Sequence, residues 1–135
     1  MIVLDTHIWL WYVNKNLNKL PNGWTSEIEQ AEKVAIATIS CYEVALANKK
    51  GRLALPSDKP AWFNKATKAA GIELLPITPD IAYRAVNLSQ IHKDPFDRLI
   101  IATAIEHKAR LASIDRLFSE YSELENCLMK IEGSD

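Results

Sequence analysis

Apolar residues come in short runs between turn signals, and the runs are of two kinds. "IVLD" (2–5), "VAIAT" (34–38), "IELLPI" (72–77) and "ARLASID" (109–115) are too short for helices and read as buried strands. Longer stretches lie between them. "THIWLWYV" (6–13) is apolar nearly all round, as a buried helix would be. The turn "LPNG" (20–23) leads into a polar-faced helix, "TSEIEQAEK" (25–33). "SCYEVALANKKG" (40–51) carries a capping box in Ser40 and Glu43, basic residues Lys49 and Lys50 in the last turn, and Gly51 as a stop. Pro60 opens a helix that ends at Gly71, and Thr78, Pro79 and Asp80 start another that runs to about Gln90. In "HKDPFDRLIIATA" (92–104) Asp94 is placed as an N-cap, Pro95 at the first helical position and Asp97 at N3 of a helix over about 95–107. "RLFSEY" (116–121) reads as a short helical turn, "CLMKI" (127–131) as a last strand, and 132–135 as a loose tail.

Strands alternating with helices imply an α/β fold with a mainly parallel sheet covered on both faces. A chain of 135 residues makes a single domain, 1–135, with a core that needs no staples. Net charge is −1 with no block of like charge, so electrostatics does not announce a nucleic-acid binder and leaves room for a local basic patch. Cys41 and Cys127 lack metal-site spacing and read as free thiols of a reducing compartment. No signal peptide or membrane span is visible, so the expected location is the cytoplasm.

Ligands of open α/β sheets bind beyond the carboxyl ends of the strands. Asp5 ends the first strand and Asp115 the fourth; Glu43 and Asp97 lie at N3 of two helices that start at the same edge. Each also has a capping explanation. Caps are satisfied as well by Ser, Thr or Asn, so four carboxylates are a costly choice if they converge. Two like charges ~5 Å apart repel by roughly 3 kcal/mol at an effective dielectric of ~20. Either the acids stay apart, or they take up protons, or a cation sits among them. Oxygen ligands without His or Cys suit Mg²⁺ or Mn²⁺, and such sites suit phosphodiester hydrolysis.

The blocks "MIVLDTHIWLW", "ISCYEVALANKKGRL", "LLPITPDIAYRA", "IHKDPFDRLIIATA" and "LASID" followed by "LF" together resemble PIN-domain ribonucleases of the VapC toxin type. The resemblance covers nearly the whole chain, and "DPFDRLIIATA" is its most distinctive part. It implies a three-layer α/β/α sandwich around a sheet of four or five strands. It implies an Mg²⁺- or Mn²⁺-dependent endoribonuclease whose acidic quartet falls on Asp5, Glu43, Asp97 and Asp115, with Asp5 and Asp97 as core metal ligands. Cleavage leaving a 5′-phosphate and a 3′-hydroxyl, a small antitoxin partner and a homodimer follow from the same likeness.

Other residues carry weaker expectations. Thr6 and Ser113, beside two of the acids, could orient a ligand or a water; for Thr6, capping of the first helix is the simpler reading. Arg98 and Arg116 are candidates for RNA phosphate contact, with a helix-surface salt bridge as the alternative. His7 is taken as a helix residue with a local hydrogen bond and His92 and His107 as surface residues, and the polar neighbourhood of Trp24 leaves it free to be exposed. Lys49, Lys50 and Arg52 form a possible basic rim. The apolar helix around Trp9–Val13 permits a homodimer interface or a groove for a partner's helix. The competing readings are a catalytically silent PIN-like module that binds RNA or protein, and another Mg²⁺-dependent phosphotransfer protein. The second lacks support, because Asp5 is followed by Thr and His rather than by a DxD pattern.

Overall fold

The computed structural model describes residues 1–131; the expected tail at 132–135 lies outside the described residues. Four short strands, β1 (Ile2–Leu4), β2 (Val34–Ala37), β3 (Ile72–Leu75) and β4 (Arg110–Ala112), form one sheet in the order β3-β2-β1-β4. All pairings are parallel, with Val3 opposite Ala35 on one side and Leu111 on the other. Among the described residues six α-helices join them: α1 (Thr6–Val13), α2 (Trp24–Gln30), α3 (Ile39–Lys49), α4 (Lys59–Ala66), α5 (Pro79–Asn87) and α6 (Pro95–Glu106).

Alternate strand residues divide the interior into two cores, as the two-residue period of a strand requires. Val3, Ala35, Ala37 and Leu111 face α5 and α6, where Ile81, Ile100 and Ile101 pack with Phe118 and Tyr121. Ile2, Leu4, Ile36 and Ala112 face the other way, against Ile8, Trp9, Trp24, Ile28 and Val44. A buried side chain of this size stabilises the fold by roughly 1.5–3 kcal/mol, so both faces are firmly held. The result is the three-layer sandwich expected.

The helix starts follow their local chemistry. Asp94 Oδ1 accepts from the Phe96 amide, with Pro95 first in α6. Thr78 Oγ1 accepts from Ile81 N, with Pro79 first in α5. Asp58 caps α4, which starts at Lys59, one residue ahead of the expected Pro60.

Four expectations need correction. The Ser40–Glu43 capping box does not form. The residue before α3 is Thr38, whose hydroxyl is drawn away to the Leu75 carbonyl at 2.8 Å, and Ser40 and Glu43 turn toward α1 instead. Trp24 is not exposed: it is 1% accessible, and its indole N–H donates to the Lys130 carbonyl at 3.0 Å. The helix expected over 25–33 stops at Gln30, because Ala31 is already extended. The run 127–131 makes one parallel bridge, Leu111 with Leu128, rather than a strand, since β4 is itself three residues long.

In the sheet order, β2 lies to one side of β1 and β4 to the other. The chain therefore reverses its winding at the carboxyl ends of β1 and β4, where a crevice opens in folds of this type. Asp5 follows β1 directly, and Asp115 stands three residues past the end of β4.

Candidate active site

Asp5, Glu43, Asp97 and Asp115 line one cavity of about 470 Å³ with His7, Trp11 and Ile114. The structure thus brings the four predicted acids together. Each is delivered by a different element. Asp5 is the N-cap of α1 and Asp97 stands in the first turn of α6. Glu43 projects from α3, and Asp115 caps the 3₁₀ turn Arg116–Glu120.

Three of the acids are tied down. Asp5 accepts from the Thr6 amide at 2.9 Å through Oδ1 and from the Ser113 hydroxyl at 2.7 Å through Oδ2. Glu43 accepts from the Thr6 hydroxyl at 2.7 Å. That bond uses the only proton of Thr6 Oγ1, so the fully buried Ser40 hydroxyl, 2.8 Å away, must be the donor to Thr6. Asp115 accepts from the Leu117 amide at 2.9 Å and faces His92 Nε2 at 3.0 Å. Asp97 differs: no donor of the described residues is hydrogen-bonded to it, and His92 Nε2 is 3.8 Å away.

The electrostatics follow from this placement. Burial raises the Asp97 carboxyl, and the charge of Asp5 pushes it further, to about 7; His92 opposes the rise and Asp94 and Glu43 add to it. Burial also raises Asp5, against the hydrogen bonds from Ser113 and Thr6, and raises Glu43 against the bond from Thr6. Three raised acids in one cavity make it a candidate cation site.

The sign of the resulting pH dependence is fixed. Below pH 3.8 Asp97 is protonated in both folded and unfolded chains and contributes nothing. Between 3.8 and about 7 the unfolded chain releases its proton while the folded one keeps it, so stability falls as pH rises and the loss is complete above about 7. At 1.36 kcal/mol per pH unit the ceiling is ~4 kcal/mol for this carboxyl, and partial exposure reduces it to on the order of 2 kcal/mol. The Asp97→Asn variant should therefore gain on the wild type from pH 4 to pH 8 in ion-free thermal melts. Millimolar Mn²⁺ should close the gap by stabilising the wild type alone.

Three residues take other roles than the sequence implied. Thr6 does not cap α1; Asp5 does, and the Thr6 side chain links α1 to Glu43. Arg98 is not available to phosphate. It is 8% exposed, and its five N–H donors reach the carbonyls of Ala85, Val86, Leu88, Ser89 and His92. These are the free carbonyls of the α5 C-terminus and the loop after it, which need donors. His92 is not a surface residue: its side chain is 8% exposed and points at Asp115 and Asp97. A readable signal existed, since His92 lies two residues before the cap of the helix carrying Asp97, at the ligand edge of the sheet. Ser113 both donates to Asp5 and accepts from the Asp115 amide at 3.2 Å. Arg116 is exposed beside Asp115, and His107 is exposed at the far end of α6.

A second cavity of about 600 Å³ runs on from the acids along α1 and α3 and shares His7, Trp11 and Glu43 with the first. Lys19, Lys50 and Arg52 line its outer part, and Lys19 Nζ lies 5.9 Å from the centre of the Trp11 ring.

Comparison with known proteins agrees with this architecture. The PIN domain family model matches residues 2–124. Ribonuclease VapC22 of Mycobacterium tuberculosis is 36% identical over 116 residues, 85% of this chain and 87% of the relative. Among solved structures, VapBC2 from Rickettsia felis bound to a promoter DNA fragment superposes with a TM-score of 0.68 at 20% identity, covering 96% of this chain and 98% of that one. A toxin–antitoxin complex from Klebsiella pneumoniae gives 0.61 at 20% identity, covering 96% and 97%. FitAcB from Neisseria gonorrhoeae gives 0.60 at 20% identity, with the same coverage. These likenesses speak for the fold; the family match and the VapC relative, which span most of the chain, make it a member of the PIN-domain family.

Proposed function

We propose that this chain is a divalent-metal-dependent endoribonuclease and the toxin of a toxin–antitoxin pair. The observation that carries the reading is the convergence of Asp5, Glu43, Asp97 and Asp115 on one cavity, with Asp97 accepting from no donor among the described residues. The donors fit a hard divalent ion: carboxylate oxygens whose affinity for protons is raised by burial first and by one another's charge second. Mg²⁺ and Mn²⁺ are the ions such a set prefers. When bound, the ion supplies charge neutralisation at the scissile phosphate and a lowered pKa for the attacking water.

The chain's own residues do the rest. Asp97 and Asp5 would hold the ion, with Glu43 beside them. Ser113 and Thr6 fix the Asp5 and Glu43 carboxylates, so their geometry is set before RNA arrives. Asp115 closes the cavity on the β4 side. Exposed Arg116, next to Asp115 in the chain, and Lys50 and Arg52 in the adjoining groove supply positive charge for RNA phosphates. The same groove, with its apolar α1 wall of Leu10 and Trp11, is where an antitoxin segment would cover the acids.

No described helix is long and apolar enough to cross a membrane. The test of the reading is an end-labelled single-stranded RNA incubated with purified protein and Mg²⁺ or Mn²⁺, then with EDTA. Cleavage with ion and none with chelator is expected. Equal cleavage in EDTA, or none with either ion, removes the proposal. Growth arrest on expression, relieved by the adjacent gene, tests the toxin role separately.

A further inference from the structure

His92 lies in the loop between α5 and α6, and its imidazole is stacked on Tyr121, with ring centres 5.6 Å apart and planes 12° from parallel. Phe118 meets the same ring edge-on at 5.2 Å. The Tyr121 hydroxyl, on a residue 1% exposed, meets His92 twice. It accepts from the His92 backbone N–H at 3.0 Å and lies 2.8 Å from His92 Nδ1. A phenol has one proton to give. Among the described residues Nδ1 is the acceptor that proton reaches, so Nδ1 is unprotonated and the neutral ring carries its hydrogen on Nε2. Nε2 in turn faces Asp115 Oδ2 at 3.0 Å and Asp97 Oδ2 at 3.8 Å. Arg98 anchors the loop from behind by donating to the His92 carbonyl at 3.3 Å.

We infer that His92, set in its tautomer by Tyr121, is a positioning residue of the acidic site: its Nε2–H fixes Asp115 in the orientation that faces Asp97. The inference rests on the nuclease reading above. The Leu117 amide holds the other oxygen of Asp115, so the two donors together fix the carboxylate plane. One ligand atom from each of His92, Asp97 and Asp115 falls within 4.8 Å of the others, which raises a rival role for the imidazole as a direct nitrogen ligand. That role requires an unprotonated Nε2. The ring proton would move to Nδ1 and leave the Tyr121 hydroxyl with no acceptor among the described residues, so the donor role is the one the network supports.

The test measures Mn²⁺ affinity by electron paramagnetic resonance titration of the full chain, with RNA cleavage alongside. His92→Ala should bind Mn²⁺ roughly 10–100-fold more weakly than wild type, the usual effect of losing a partner of a metal-binding carboxylate. His92→Gln, whose amide N–H can stand where Nε2–H stood, should recover most of the loss. Tyr121→Phe keeps the ring stack, frees the tautomer and should fall between wild type and His92→Ala. Thermal melts confirm that each variant is folded; if His92→Ala is not, the Gln and Phe variants decide. Mn²⁺ binding within twofold of wild type in folded His92→Ala overturns the inference. So does His92→Gln that folds yet binds Mn²⁺ as poorly as His92→Ala, or a nitrogen directly coupled to Mn²⁺ in the spin-echo spectrum of the wild type. A wild type that binds no Mn²⁺ instead defeats the nuclease reading itself, so the two failures are distinct.

Discussion

Asp97→Asn should lower RNA cleavage by more than about 100-fold while leaving the fold intact. Loss of a mere supporting partner of a metal ligand costs roughly 10–100-fold, and Asp97 is assigned as a ligand itself, so its loss should exceed that range. Asn matches Asp in size and keeps the helix start, because Asp94 and not Asp97 caps α6. What the substitution removes is one negative charge and one anionic oxygen in a cavity shared with three other acids. Single-turnover cleavage under Mg²⁺ and Mn²⁺, with thermal melts beside it, checks this. Wild-type rates in the variant would take Asp97 out of the mechanism. The same substitution should make the ion-free protein more stable above pH 7, the trade expected where function holds like charges together. A variant that lost activity together with stability would be explained by misfolding instead.

Arg98→Ala should destabilise the protein by about 3–5 kcal/mol, a large share of the roughly 5–15 kcal/mol that holds a domain together. Charged hydrogen bonds contribute about 1.5–3 kcal/mol each, and this side chain makes five, some of which water would replace after truncation. Arg98→Lys keeps the charge but not the fork of donors and should still cost about 2 kcal/mol. Urea denaturation of the three proteins measures it. If Arg98 served RNA phosphate instead, both variants would keep full stability, and Arg98→Ala alone would reduce the salt dependence of RNA binding by about one charge.

Much of this fold is written locally. β1 and β2 are legible as short apolar runs, and α5 and α6 are announced by Thr78–Pro79 and Asp94–Pro95 because a cap and a proline act within one turn. The acids at 5, 43, 97 and 115 are legible as a set because strand ends and helix starts share one edge. What local chemistry cannot carry is choice of partner. Ser40 and Glu43 have the spacing of a capping box, and nothing nearby reveals that both turn toward Thr6, more than thirty residues earlier. Arg98 stands beside an acid in sequence but points to the end of the preceding helix. His92 looks solitary until Tyr121, 29 positions on, folds against it. The run at 127–131 has strand composition, yet β4 offers it a single pairing position.

The central claim is that carboxylates from positions 5, 43, 97 and 115 form one divalent-ion site. Anomalous X-ray diffraction from crystals of the protein soaked in Mn²⁺ tests it most directly. The account predicts an anomalous peak inside the cavity those four side chains line, contacted by Asp97 and Asp5, and its disappearance in Asp97→Asn crystals. No peak there in a preparation that cleaves RNA, or an ion seated elsewhere with the four acids unliganded, would contradict it.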